Sequence, residues 1–405
     1  MIYQSYQARS DALRPLRASA ALAAASMRGP WGAWANLLPV ANAIAACELF
    51  AQTRVTHTRP AFGIAATTVG NRTVPVTEEV AARTPFATLL HFAKDVDTPQ
   101  PRMLVVAPLS GHFATLLRNT IEVLLPDNDV YVTDWHNARD VPLSAGPFGF
   151  DEYVDHVIGF LEAIGPGAHL IAVCQPCVHA LAAVAVMAED DNPAQPRSMT
   201  LMAGPVDTRV SPSEVNKLAT GKPIEWFERN LIATVPACHQ GAGRRVYPGF
   251  VQLTAFMSMN ADRHLNAHVD LFHRMVAGDT EKVEQVRAFY DEYFAVLDLA
   301  AEFFLETVKL VFQDAALAKG TLEWRGRRVD PKAIRRTALL TVEGERDDIC
   351  SVGQTLAAHD LCSSLRPYRK RHHLQAGVGH YGVFSGRRWA GQIYPLVRNL
   401  VLSSD

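Results

Sequence analysis

The chain has 405 residues, 48% of them hydrophobic and 20% charged, with a formal net charge of −2. This is enough length for one large domain with an insertion, and the near-neutral balance carries no single-sign field of the kind that attracts nucleic acid. No apolar run reaches the roughly 18 residues a membrane span needs, and six cysteines in so long a chain form no dense disulfide framework.

Residues 1–60 are predicted to be mixed helix and turn, rich in Ala and interrupted by Pro15, Pro30 and Pro39. Arg9, Arg14 and Arg17 precede an Ala-rich stretch over 18–27 that is too poor in Leu, Ile and Val for a secretory core, so it reads as a helix of a cytoplasmic protein. A β-ribbon is expected next: 73–84 partly alternates apolar and polar residues, Phe86–Phe92 follows Pro85, and Gly70-Asn71 makes a turn upstream.

From residue 102 short apolar runs alternate with amphipathic helices. Strands are expected at 103–107, 130–133, 169–173, 199–202, 338–342 and, weakly, 371–374. Helices are expected at about 113–125, 151–164, 176–189, 351–364 and 388–402. Such alternation implies an α/β fold with a mostly parallel sheet. The stretch 207–335 breaks the alternation with aromatic and Met-rich helical text. It is expected to be a helical cap inserted at the carboxyl edge of the sheet, where α/β proteins bind ligands. The organisation is then an N-terminal helical segment (1–60), a core (61–206 and 336–405) and a cap or lid (207–335).

The strand at 169–173 runs into Ala172-Val-Cys-Gln-Pro176 and then a helix. A nucleophile at the apex of strand, tight turn and helix is a nucleophile elbow. Ala172 supplies the small residue expected two before the apex, Cys174. Pro176 departs from the small residue expected two after it, but proline suits a first helical turn. Gln175 keeps the N–H that would hold an oxyanion, and the helix N-terminus favours a thiolate. The base is expected to be His380 in Gly377-Val-Gly-His-Tyr-Gly382, where glycines permit a sharp turn. Asp347, three residues after Gly344, is the carboxylate expected to orient it, and spacing leaves the adjacent Asp348 open. The order nucleophile, acid, histidine is that of α/β-hydrolases. A second oxyanion N–H is expected at Leu109 or Ser110, with Gly111 easing close approach.

Other readings compete. Cys174 and Cys177 spell Cys-Gln-Pro-Cys, a thioredoxin-like redox signal, yet the pair lies in a much longer sheet pattern. His264 and His268 stand at i, i+4 with His273 beyond, but no glutamate completes the catalytic zinc motif, so no metal and no cofactor is expected. His179 falls on the helix after the elbow, facing away. Asp134 and Trp135 end a strand at the active edge, with packing their default role.

The text VAPLSGHFATLLR (106–118), DVYVTDWHNARDVP (129–142), AVCQP (172–176), VEGERDDIC (342–350) and GVGHYGVFSGRRW (377–389) resembles the intracellular polyhydroxyalkanoate depolymerase family, related to polyhydroxyalkanoate synthases. The resemblance implies an α/β-hydrolase that cleaves poly(3-hydroxybutyrate) or its oligomers with Cys174, Asp347 and His380. Synthases usually carry Gly at the position of Pro176, which favours the depolymerase side. It also implies a cytoplasmic, granule-associated enzyme acting on a polyester granule or oligoester, with coenzyme A as a conceivable alternative acceptor. Trp135, Trp226 and Phe256 are candidates for an apolar substrate-binding mouth. Oligomeric state is open.

Overall fold

A computed structural model describes residues 2–29, 37–259 and 261–404. At its centre is an eight-stranded sheet. In chain order the strands are β1 (Thr77–Arg83), β2 (Ala87–Ala93), β3 (Arg102–Val106), β4 (Asp129–Trp135), β5 (His169–Val173), β6 (Ser198–Met202), β7 (Ala338–Gly344) and β8 (Lys370–Gln375). Their spatial order is β8-β7-β6-β5-β3-β4-β2-β1. The β1–β2 and β2–β4 pairings are antiparallel and all the others parallel. This order, with its crossover between β3 and β5, is that of the α/β-hydrolase fold.

The sequence pattern explains the layering. Every residue of β5, β6 and β7 is buried, as continuous apolar runs covered on both faces require. The helix after β5 (Cys177–Glu189) is apolar all round and buried from Cys177 to Met187, so it packs as an interior helix. Weakly apolar β8 lies at the sheet edge and is largely exposed.

Several expectations need correction. Helix α1 (Ile2–Arg28) runs straight through Pro15 and pairs with α2 (Leu38–Gln52). The predicted ribbon is two units: a hairpin of Ala66–Val69 with Arg72–Pro75 about Gly70, then β1 paired with β2. The helix expected over 113–125 starts as a 3₁₀ turn at Ala114–Leu117 before Arg118–Leu124. Of 351–364 only Ala358–Leu361 is α-helical. Gly353 takes φ +97 there, and Glu343 accepts the N–H groups of Gly353, Thr355 and Leu356 at 2.9, 2.7 and 3.0 Å. A buried carboxylate thus replaces the helical acceptors and holds the segment as turns.

Residues 207–335 carry helices at Glu214–Thr220, Ile224–Leu231, Gly249–Met259, Ala261–Ala277, Thr280–Tyr293 and Ala301–Glu306. They also hold strand pairings that periodicity did not signal. Arg245–Tyr247 joins Ala233–Thr234 and Leu299–Ala300 in a three-stranded antiparallel sheet, and Glu323–Trp324 pairs with Arg327–Arg328. Pieces of two or three residues are too short to show a period. No described helix is long and apolar enough to cross a membrane.

Candidate active site

Cys174 sits at the carboxyl end of the central strand β5 with φ +68, a left-handed backbone that a residue with a Cβ adopts only when its surroundings impose it. Three contacts do so. The Cys174 N–H donates to the Met202 carbonyl at 2.7 Å, and its carbonyl accepts from the Cys177 N–H at 3.2 Å. Gly204 presses against the turn: a Cβ there would lie 2.2 Å from the Cys177 side chain and 2.9 Å from the Cys174 carbonyl oxygen. The strain holds the thiol out of the strand line, at the sheet's edge and partly exposed.

The loops after β7 and β8 bring the partners. Asp347 Oδ1 accepts from the N–H groups of Ile349 and Cys350 at 2.9 and 2.8 Å. Its Oδ2 lies 2.7 Å from His380 Nδ1. The neighbouring Asp348 is exposed, which leaves Asp347 as the carboxylate on the imidazole. Cys174 lies on the other side of the ring, near enough to act on its titration. His380 is buried, and burial opposes its charge; attraction to Cys174 and then to Asp347 outweighs this and holds its pKa well above the ordinary 6.5.

Gln175 follows at the elbow, 9% exposed. Its side-chain amide lies 3.4 Å from His179 Nδ1. His179 is enclosed by Phe150, Tyr153 and Phe303 at centroid distances of 4.2, 4.5 and 5.5 Å. Burial pushes its pKa down to about 3, so the ring is neutral. It packs beneath the elbow, against the Gln175 side chain and these core rings. Leu109 and Ser110 lie in the loop after β3, Leu109 buried and Ser110 partly exposed.

Cys177 is buried, and its thiol donates to the Ala172 carbonyl at 3.3 Å. Burial, with Cys174 nearby as a lesser cause, raises its pKa far above the usual thiol value, the opposite of what a redox or nucleophilic cysteine needs. Trp135, a candidate for the mouth, is instead core: it is 2% exposed, donates Nε1–H to the Ala107 carbonyl at 2.8 Å and stacks on Tyr153 at 4.3 Å. Asp134 pairs with Arg59 Nε at 2.6 Å. Trp226 is half-buried beside Phe227 in a side cluster with Val308, and the Phe256 side chain lies outside the described residues. His264 and His268 pack around Tyr290 at 6.1 and 4.3 Å; among the described residues no group of three potential ligands gathers for a metal. Glu343 and Gly204 are the contributors that sequence reasoning missed. A lone Glu in the apolar run of β7 was the available signal for the first.

A family model described as "PHB de-polymerase C-terminus" matches residues 203–405, just over half of the chain. The chain belongs to this family. Membership, on a hydrolase fold, makes it an ester hydrolase. The matched part carries Asp347 and His380 and starts beyond Cys174. No curated protein matches the chain. Solved structures similar to it include the 2-hydroxy-6-oxo-6-phenylhexa-2,4-dienoate hydrolase of Rhodococcus sp. strain RHA1 (11% identity, TM-score 0.45, covering 81% of this chain and 99% of that one). A monoacylglycerol lipase from Paleococcus ferrophilus is 13% identical (TM-score 0.42, 76% and 97%). A thermophilic esterase from Thermogutta terrifontis is also 13% identical (TM-score 0.39, 80% and 98%).

Proposed function

We propose that this depolymerase-family protein hydrolyses poly(3-hydroxybutyrate) or its oligomers through an acyl-Cys174 intermediate, releasing 3-hydroxybutyrate or short oligomers. The observation that carries the reading is the His380–Asp347 hydrogen bond on the loops beside the strained elbow of Cys174, in a chain of this family. The Cys174 sulfur, its proton held on His380, attacks the ester carbonyl. The Gln175 N–H and an N–H of Leu109 or Ser110 hold the oxyanion. As the tetrahedral intermediate collapses, His380 hands its proton to the leaving alkoxide oxygen. Water then loses a proton to His380 and attacks the thioester; the C–S bond breaks, the carboxylic acid departs, and Cys174 is regenerated with its proton on His380. Asp347 keeps the ring oriented throughout. Trp226 and Phe256 remain the candidates for polymer contact, and the protein would work in the cytoplasm at the granule surface.

The test is product analysis on amorphous polyester granules, with and without coenzyme A. Free 3-hydroxybutyrate or oligomers, absent with Cys174→Ala, are expected. Acyl-coenzyme A as the main product would make the protein a thiolysing transferase. Near-normal release by Cys174→Ala would overturn the nucleophile assignment, and no release by the intact protein would leave a non-catalytic granule protein.

A further inference from the structure

The loop that carries Leu109 and Ser110 is held from behind by the segment 293–298. The Leu297 N–H donates to the Gly111 carbonyl at 2.9 Å. His112 pairs with Val296 in an antiparallel bridge, and His112 Nε2 lies 3.1 Å from the Tyr293 carbonyl. Gly111 itself has φ +98, and a Cβ on it would meet Gln252 Cγ at 2.8 Å, so the loop has little room on that side. The same segment is tied on its other edge to Thr56, whose N–H donates to the Phe294 carbonyl at 2.8 Å and whose carbonyl accepts from the Val296 N–H at 2.9 Å.

The segment ends at Asp298, which is fully buried and bonded at every polar atom. Its N–H donates to Asn137 Oδ1 at 3.0 Å, and its carbonyl accepts from the Ala138 N–H at 3.0 Å. Oδ1 accepts from the Gly249 N–H at 2.9 Å. Oδ2 accepts from the hydroxyl of Tyr3, 295 residues away in sequence, at 2.6 Å. Tyr3 lies in the first turn of α1, buried, with its ring edge-on to Phe250 at 5.4 Å. Tyr6, one turn on, stacks on Phe250 at 3.8 Å, and its hydroxyl lies 2.9 Å from His57 Nε2. The first turns of α1 are therefore packed into the structure that braces the loop at 109–112.

We infer that Tyr3 is a positioning residue for ester cleavage: its hydrogen bond to Asp298 fixes segment 293–298, and through it the backbone N–H donors of the loop at 109–112. The inference rests on the proposed acyl-Cys174 mechanism. Without the Tyr3 hydroxyl, a buried carboxylate oxygen loses its donor in a place water does not reach, and the segment shifts to relieve it. Stabilisation of an oxyanion depends on donors fixed beforehand, so sub-ångström displacement lowers the rate of the step that forms the oxyanion. Reactions of the thiol that form no oxyanion are untouched.

That difference supplies the test. In Tyr3→Phe of the full chain, the acylation burst with p-nitrophenyl butyrate is expected to slow about tenfold with KM little changed, while alkylation of Cys174 by iodoacetamide keeps the wild-type rate within about twofold, because displacement at an alkyl iodide creates no oxyanion. Asp298→Asn, nearly the same shape, should give the same separation, and the double variant should be no slower than the slower single one. Unchanged acylation in both single variants, or an equal fall of acylation and alkylation, overturns the inference. Failure of the nucleophile assignment would appear separately, as wild-type protein that still turns over ester after complete alkylation of Cys174.

Discussion

At the scale of single residues, the acid of the site depends on a second buried acid behind it. Glu343 ends β7 fully buried and accepts three N–H groups of the turn that follows Asp347. An amide keeps one of the two acceptor oxygens and brings two donors of its own to a place crowded with donors. Glu343→Gln is therefore expected to cost about 2 kcal/mol of stability, as losing charge-assisted bonds at a buried site does, and to slow turnover by misplacing Asp347. Chemical denaturation and kcat on a soluble ester measure the two effects together. His380 carries a second prediction. Burial lowers its pKa, and Cys174 is the first of the groups that raise it. Cys174→Ala removes that attraction and keeps most of the burial, so the ring should titrate at lower pH than in the wild type, measurable by NMR of the imidazole protons. The linkage has the matching sign: a raised histidine stabilises the fold fully below about pH 6.5, and this contribution is lost as pH rises through its elevated folded value.

The elbow is the element on which the chemistry turns, and its geometry is shared between β5, the following helix and Gly204 after β6. Gly204→Ala would place a methyl group 2.2 Å from the Cys177 side chain. Cys177 is locked between Ala172 and Met202 carbonyls, so the elbow itself must move. A loss of about 1–3 kcal/mol is expected from the overpacking, with acylation of Cys174 falling more steeply than stability; thermal melts and burst kinetics would show it, and wild-type burst rates in Gly204→Ala would contradict the coupling. The elbow was legible in sequence because Ala172, Cys174 and Pro176 are contiguous and follow an apolar strand run. So were β3 to β7, as covered strands leave mostly apolar runs. The turn-rich segment 351–357 was not, because what decides it is Glu343, which lies outside any local window. The same holds for Trp135: as an aromatic at the active edge it could have faced ligand or core, and the Ala107 carbonyl that takes its N–H is 28 residues away.

For the molecule as a whole, contacts of long sequence separation set what composition cannot show. The Tyr3–Asp298 bond is one; the burial of so many histidines is another. Burial lowers His57 and His179 to about 3 and His112 to about 4, and it lowers His136, His156, His359 and His372 as well. Each takes up a proton at lower pH in the fold than in the unfolded chain, so each contributes stability that is present above about pH 6.5 and is lost as pH falls toward the folded value. Buried carboxyls work the other way. Asp134 and Asp298 are pushed up to about 6 by burial, and Asp151 and Glu306 are raised too. These take up protons in the folded state first and gain stability as pH falls. The histidines outnumber them, and their window opens at higher pH. Between pH 7 and pH 5 the unfolded chain therefore binds more protons than the folded one, and Tm should fall steadily over that interval. A melting series at constant ionic strength decides it: a flat or rising Tm toward pH 5 would mean that the buried carboxyls, with Asp298 under Tyr3 among them, govern the acid side instead.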